Sequence, residues 1–125
     1  MNLLLDTHVV LWWRADAERI APPAREAIAS ADAVFVSVAS AWEIAIKQSM
    51  GKVRLPETFA RGVERSGFAR LMITFEHAAA TATLPRHHRD PFDRMLVAQA
   101  IAEGLKLVTA DRLFAKYDVD VLAAR

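Results

Sequence analysis

The sequence contains no cysteine among its 125 residues. Disulfide bonds, cysteine-ligated zinc sites and a cysteine nucleophile are therefore excluded. Glycine and proline are scarce, and no apolar run approaches the ~20 residues that a transmembrane helix needs. The apolar start, MNLLLDTHVVLWWR, lacks the basic region and the small-residue cleavage site of a signal peptide. We therefore expect no membrane association and a soluble, cytoplasmic protein.

The composition is that of an ordinary globular chain, with 54% hydrophobic and 25% charged residues. Its length predicts one domain spanning residues 1–125. The net charge of +1 indicates no particular partner, so function has to be inferred from where the charged residues lie.

Short apolar runs alternate with helical patterns along the whole chain. The runs are continuous rather than alternating, which is typical of parallel strands covered by helices on both faces. We predict an α/β fold, a three-layer α/β/α sandwich with a central, mostly parallel five-stranded sheet. The predicted strands are at 3–6, 33–38, 71–74, 105–111 and 119–122, and the predicted helices at 7–16, 23–31, 40–50, 56–67, 76–84, 90–104 and 111–117.

The clearest helix begins at DPFDR. Asp90 precedes Pro91, and aspartate is a good N-cap while proline suits the first helical position. Asp90 is therefore interpreted as a helix cap and not as a ligand. Asp93 falls on the first turn, where its side chain points back toward the helix start.

Four carboxylates come from four separate segments of the chain. Asp6 follows the first strand, Asp111 follows the fourth, and Glu43 and Asp93 lie near the starts of two helices. In open α/β sheets, sites form beyond the carboxyl ends of the strands, so these acids are expected to converge. A cluster of carboxylates repels itself unless it binds a hard cation such as Mg²⁺ or Mn²⁺. Such an ion can activate water for attack on a phosphodiester.

Each acid also has a purely structural interpretation. Ser40-x-x-Glu43 matches a capping box, and Glu43 could instead pair with Lys47. Asp111 could cap the helix that follows it, and Asp93 could interact with the positive end of its own helix. Asp6 is the hardest to explain in this way, because a charge at the end of a buried strand needs a partner or a cation.

The chain resembles the PIN-domain ribonucleases, specifically the VapC-type toxins of bacterial toxin–antitoxin pairs. The resemblance is carried by LLLDTHVVLWW, SVASAWEIAIKQSMGKVRLP, HHRDPFDRMLVAQA and LVTADRLFAKYDVDVL, in order along essentially the whole chain. It implies a PIN-like fold and a Mg²⁺- or Mn²⁺-dependent endoribonuclease. It also implies a homodimer inhibited by an antitoxin, with DNA bound only through that antitoxin. The residues it makes both catalytic and metal-binding are Asp6, Glu43, Asp93 and Asp111.

Basic residues surround the proposed site. With the four ligands set aside, 11 acidic residues remain against 16 basic ones, which favours binding of a polyanion such as RNA. Thr7 and Thr109 neighbour the acids and could support them by hydrogen bonds. Trp12, Trp13 and Trp42 could stack on bases, but base stacking is the less favoured interpretation of all three. Trp12 and Trp13 lie in an apolar helix, which favours packing. The candidate RNA-binding residues are Arg86, His87, His88, Arg89, Arg94 and Arg112, with a solvated surface as the alternative.

Other functions on such a scaffold fit less well. A haloacid-dehalogenase-type phosphatase needs a second aspartate two residues after the first, where this chain has His8. A phospho-acceptor receiver domain needs an aspartate at the end of the third strand, where the prediction places Thr74. No G-x-x-x-x-G-K phosphate loop is present. An acid-pocket phosphatase and a non-catalytic interaction domain remain as alternatives.

Overall fold

The centre of the fold is a five-stranded sheet in which all neighbouring strands are parallel. The structure is a computed structural model that describes residues 1–125. The strands lie in the order β3-β2-β1-β4-β5, which confirms the predicted five-stranded sheet. They are β1 (Asn2–Leu5), β2 (Ala33–Ser37), β3 (Ala69–Leu71), β4 (Lys106–Thr109) and β5 (Val121–Ala123).

Helices connect the strands and cover both faces of the sheet, as the sequence predicts. None of them combines the length and the apolar character needed to cross a membrane. They are α1 (Thr7–Ala15), α2 (Pro22–Ser30), α3 (Val38–Ser49), α4 (Phe59–Arg65), α5 (Phe75–Ala80) and α6 (Pro91–Glu103), with short 3₁₀ helices at Ala17–Arg19, Thr81–Thr83 and Arg112–Lys116.

Two hydrophobic cores lie on opposite faces of the sheet, and β1 contributes to both. Leu3 and Leu5 pack into the core formed with α1, α2 and α4. Leu4 points the other way and packs against α6 and Phe114. All three leucines have no exposed surface, and burial of each contributes roughly 1.5–3 kcal/mol. This double burial explains why the strand sequences are continuously apolar rather than alternating.

The sheet has a topological switch point between β1 and β4. From β1 the chain first builds β2 and β3 on one side, and later β4 and β5 on the other. Leu5 pairs with Val108, and the backbone N–H of Asp6 donates to the Val108 carbonyl at 2.9 Å. Asp6 and the end of β4 are therefore side by side, although about 100 residues separate them in the chain. Ligands bind at such switch points in open α/β sheets.

Several predicted boundaries were wrong. The third strand lies at Ala69–Leu71, not 71–74; it is an edge strand whose Ala69 and Arg70 are exposed, so it carries no apolar pattern. The fourth helix begins at Phe59 rather than Pro56, because the Thr58 hydroxyl accepts the Arg61 N–H and caps it there. The helix predicted at 111–117 is a 3₁₀ helix at Arg112–Lys116, and the last strand lies at Val121–Ala123, not 119–122.

Candidate active site

Asp6 lies at the carboxyl end of β1 and is almost fully buried. One of its carboxylate oxygens, Oδ2, accepts a hydrogen bond from the Thr109 hydroxyl at 2.7 Å. Burial raises the pKa of Asp6 above its ordinary value, although the Thr109 hydrogen bond and the nearby His8 partly offset this. The charged form of Asp6 is therefore costly in the absence of a cation.

Glu43 is held beside Asp6 by the first residue of α1. The Thr7 hydroxyl lies 2.8 Å from Glu43 Oε1 and 2.8 Å from the Ser40 hydroxyl. Because the carboxylate can only accept, Thr7 donates to Glu43 and accepts from Ser40. The other Glu43 oxygen pairs with Lys47 Nζ at 3.1 Å. The ion pair between Glu43 and Lys47, which the sequence offered as a structural interpretation of Glu43, is therefore present. Glu43 also accepts the hydrogen bond from Thr7.

The capping box suggested by Ser40 and Glu43 is absent. The helix begins earlier, and the Ser37 hydroxyl is its cap, accepting from the Ala39 N–H at 2.9 Å. Ser40 is buried inside the helix and bonds Thr7 instead. Glu43 is consequently free of any capping role and faces the acid cluster.

Asp93 is the least satisfied of the four acids. Asp90 caps α6 by accepting from the Phe92 N–H at 2.8 Å and the Asp93 N–H at 3.4 Å. The Asp93 carboxylate itself accepts no hydrogen bond from the protein. Burial, followed by repulsion from Asp90 and Asp6, raises the pKa of Asp93 from 3.8 to about 7. Glu43 adds to the same repulsion, so the pKa of Asp93 responds to the other acids of the cluster.

Asp111 is held rigidly by two donors. Its Oδ1 accepts from the Leu113 N–H at 2.9 Å, so Asp111 does cap the 3₁₀ helix that follows it. Its Oδ2 lies 2.8 Å from His88 Nε2. Partial burial acts to raise the pKa of Asp111, but the hydrogen bonds from His88 and Leu113 outweigh it and lower the pKa. Asp111 therefore remains a carboxylate at neutral pH, whereas Asp93 titrates near neutral pH.

His88 occupies a place that the sequence did not predict. It was interpreted as a loop or substrate-side residue, but its side chain is buried, with 8% of the residue exposed. The ring stacks on Tyr117, whose hydroxyl lies 3.0 Å from Nδ1 and accepts the backbone N–H of His88 at 2.9 Å. Since Asp111 can only accept, Nε2 carries the proton, and Nδ1 accepts from the tyrosine hydroxyl. His88 thus links Tyr117 to Asp111.

Arg94 also departs from the predicted basic rim. Its guanidinium donates to backbone carbonyls and holds the loop before α6 in place, which leaves it poorly placed to contact a substrate. The carbonyls belong to Thr81 at 2.7 Å, Pro85 at 2.9 Å, Leu84 at 3.2 Å and His88 at 3.5 Å. The other candidate RNA-binding residues, Arg86, His87, Arg89 and Arg112, are exposed.

The side chains that could bind a metal ion converge at this edge of the sheet. Possible ligand atoms of His88, Asp93 and Asp111 all lie within 4.8 Å of one another. Because His88 Nε2 is engaged with Asp111, the atoms left for a hard cation are carboxylate oxygens. The Asp93 carboxylate accepts no hydrogen bond, and burial together with its acidic neighbours raises its pKa. A bound divalent cation would relieve this unfavourable environment. The residues therefore fit such an ion.

Comparison with known proteins identifies a family from the sequence. The PIN domain family matches residues 3–120. The chain is 35% identical over 119 residues to ribonuclease VapC22 of Mycobacterium tuberculosis, covering 89% of this chain and 88% of that relative.

Solved structures of toxin–antitoxin complexes share the fold. One is VapBC2 from Rickettsia felis bound to a promoter DNA fragment, with a TM-score of 0.71, 14% identity and full coverage of both chains. Another is DNA-bound VapBC from Salmonella typhimurium, with a TM-score of 0.70, 18% identity and coverage of 100% and 99%. At these identities the likeness concerns the fold.

Proposed function

The chain belongs to the PIN-domain family, among the VapC-type ribonucleases, and on this premise we propose that it is a metal-dependent endoribonuclease, the toxin of a toxin–antitoxin pair. The observation that carries this proposal is the convergence of acids at the switch point of the sheet. Asp93 and Asp111 approach each other closely, and Asp6 and Glu43 act on the pKa of Asp93.

Four carboxylates would hold the cation: Asp6, Glu43, Asp93 and Asp111. A bound Mg²⁺ or Mn²⁺ supplies a water of lowered pKa and neutralises charge on the phosphoryl oxygens. Oxygen ligands suit both ions, and Mg²⁺ is our first choice because it is bound in this way at many phosphate-processing sites.

The chain's own residues prepare these carboxylates for different tasks. Asp111 is ionised at neutral pH and fixed by His88, so it offers the cation a permanent negative charge. Asp93 has a pKa of about 7 and has to lose a proton as the cation enters. Thr109 and Thr7 each donate to one ligand, Asp6 and Glu43 respectively, and so orient them. Such supporting contacts commonly affect metal affinity by about 10- to 100-fold.

RNA phosphates would be bound by the exposed residues of the rim. These are Arg86, His87, Arg89 and Arg112, after Arg94 and His88 are assigned to structural contacts. The test is the salt dependence of RNA binding by an Arg86→Ala/Arg89→Ala variant. Each lost phosphate contact should reduce the slope of log K against log salt by about 0.7 for a single strand.

A matched control for this test is an Arg61→Ala/Arg70→Ala variant. Both arginines are exposed and lie on α4 and β3, elements that contribute none of the four acids. The control should keep the parental slope. An unchanged slope in the Arg86/Arg89 variant would remove those two residues from the RNA-binding surface.

The proposed partners are a cognate antitoxin and a second copy of this chain. The antitoxin would inhibit cleavage and would provide the only link to DNA. Two of the structurally similar VapBC complexes are bound to DNA. Both partners and the RNA substrate belong to the cytoplasm, where we expect the protein to act. Light scattering on the purified chain tests the dimer directly, since the mass of one copy is 13.9 kDa.

The experiment that tests the activity is RNA cleavage by the purified chain with Mg²⁺ or Mn²⁺, with EDTA, and after Asp6→Asn. Cleavage should require a divalent ion and should be lost in the variant. Cleavage that persists in EDTA and in Asp6→Asn contradicts the proposal. Hydrolysis of a phosphate monoester without RNA cleavage would instead favour the acid-pocket phosphatase.

A further inference from the structure

A pair of aromatic side chains lies next to the acid cluster. Trp42 directly precedes Glu43 on α3, and Phe92 directly precedes Asp93 on α6. Their ring centroids are 5.2 Å apart and the ring planes are nearly perpendicular, at 80°, so the edge of one ring lies against the face of the other. The two helices that supply acids to the pocket thus also supply this aromatic pair.

Trp42 is unusually accessible for a tryptophan, with 62% of its surface exposed. Water contact with so much apolar surface is unfavourable by tens of calories per Å², about 25. The contact with Phe92, an arrangement that aromatic rings prefer, restricts the orientation of the indole while leaving most of it open. The result is a preoriented aromatic surface on the two helices that carry Glu43 and Asp93.

A nucleobase is the group that best fits this surface. The adjacent pocket is where the proposed function places the scissile phosphate, and in RNA the bases flank each phosphate by one nucleotide. Base stacking on an exposed aromatic ring needs an unpaired base, because the bases of a duplex are stacked on each other. An indole offers a large stacking surface to any of the four bases.

We propose that Trp42, held by Phe92, stacks on an unpaired nucleobase next to the scissile phosphate. This inference rests on the proposed ribonuclease function and adds a substrate-binding residue to it. Trp42 is a substrate-binding residue in this account, and Phe92 is a positioning residue.

Exposed apolar residues continue along the same helix. Ile46 and Met50 follow Trp42 at intervals of four residues, with 37% and 58% of their surfaces exposed. A face made of all three residues could contact a second protein chain. The two uses differ in their consequences, because a protein contact depends on the whole face whereas base stacking depends on Trp42 alone.

The test compares Trp42→Ala and Trp42→Phe in an Asp6→Asn background, so that RNA is bound but not cut. The probes are a single-stranded oligoribonucleotide and the duplex of the same sequence. We expect Trp42→Ala to weaken single-strand binding by about 5- to 150-fold, and Trp42→Phe to retain most of the affinity. Binding of the duplex should change little. In the parent, tryptophan fluorescence should be quenched by the single strand, and Trp42→Ala should lose this signal.

Two control variants accompany the test. Met50→Ala removes an exposed apolar side chain at the C-cap of the same helix, about two turns from Trp42. Phe75→Ala removes an aromatic side chain that is 94% exposed at the start of α5. Both should bind RNA like the parent. A melting curve and the mass in solution are recorded for every variant to detect misfolding or a change of assembly.

Parental RNA affinity in a folded Trp42→Ala variant overturns the inference. So does a loss of affinity shared equally by Met50→Ala with a change in mass, which would assign the face to a protein contact. Failure of the ribonuclease proposal looks different, because the chain carrying Asp6 would then cleave no RNA with any divalent ion.

Discussion

Replacing Asp93 with asparagine should stabilise the metal-free protein at neutral pH. The structure places this carboxylate where its charged form is unfavourable, since burial and neighbouring acids raise its pKa from 3.8 to about 7. That difference corresponds to about 4 kcal/mol in a fully protected site. Asp93 is only partly buried, so solvent screening reduces the penalty to about 2 kcal/mol. Asparagine has a similar shape and no charge.

A second effect opposes this gain. A negative charge on the first turn of α6 interacts favourably with the helix N-terminus, and this is worth about 0.3–1 kcal/mol. The penalty from burial and repulsion is larger than this interaction, so Asp93→Asn should raise the free energy of unfolding by about 1–2 kcal/mol above pH 7. The gain should shrink as the pH falls from about 7 to about 4, because the native protein then protonates Asp93 and the penalty disappears.

The assay is urea unfolding of both proteins in EDTA at several pH values. Added Mn²⁺ should reverse the order of stability, because the cation stabilises only a protein that binds it. Asp90→Asn is the comparison variant: asparagine caps a helix about as well as aspartate, and the substitution removes only one of the repulsions acting on Asp93, so its gain in stability should be smaller than that of Asp93→Asn. If Asp93→Asn is no more stable than the parent at pH 8 in EDTA, the reasoning about its electrostatic environment is refuted.

Three further predictions concern the same edge of the sheet. Asp90→Ala should lower the free energy of unfolding by about 1 kcal/mol, measured in urea, while cleavage at saturating metal is retained. His88→Gln should weaken Mn²⁺ binding, measured by calorimetry, by about 10- to 100-fold, because Asp111 loses its hydrogen-bond donor. Tyr117→Phe should weaken it by less, because it loosens Asp111 only through His88. Unchanged Mn²⁺ affinity in both variants contradicts the assigned contacts. Mn²⁺ affinity of the parent should rise as the pH increases toward and through about 7, with proton release from Asp93; a pH-independent affinity contradicts this.

The parallel sheet was predictable because its central strands are buried on both faces. Leu3, Leu4 and Leu5 all contact a core, so the apolar run is uninterrupted and easy to recognise. The third strand was misplaced because it lies at the edge, where Ala69 and Arg70 are exposed and burial imposes no pattern. At α4 the sequence offers two possible helix starts, a proline at Pro56 and a capping threonine at Thr58, and the helix begins after Thr58.

The cap at the start of α6 was predictable from five residues, since capping is a local interaction. Asp90 caps the helix as the sequence predicted, and Asp93 lies on the first turn as expected. The assignment of Asp93 to a metal ion remains a prediction.

The environment of His88 was not predictable, because it depends on residues far away in the chain. Tyr117 contacts it from 29 positions further on, and Asp111 from 23. An adjacent pair of histidines between arginines resembles a solvated loop, and no local pattern distinguishes the buried one. The same is true of Arg94, whose carbonyl partners come from a loop that only the fold brings together.

The most direct test of the proposed site compares RNA cleavage by Asp93→Asn and Asp90→Asn at saturating metal. The two aspartates are three residues apart at the start of α6. Asp93 is assigned to the cation, and Asp90 is assigned to capping the helix. The account predicts that Asp93→Asn abolishes cleavage while Asp90→Asn keeps it close to the parental rate. Cleavage that survives Asp93→Asn but is lost in Asp90→Asn would contradict the assignment of the metal-binding acids.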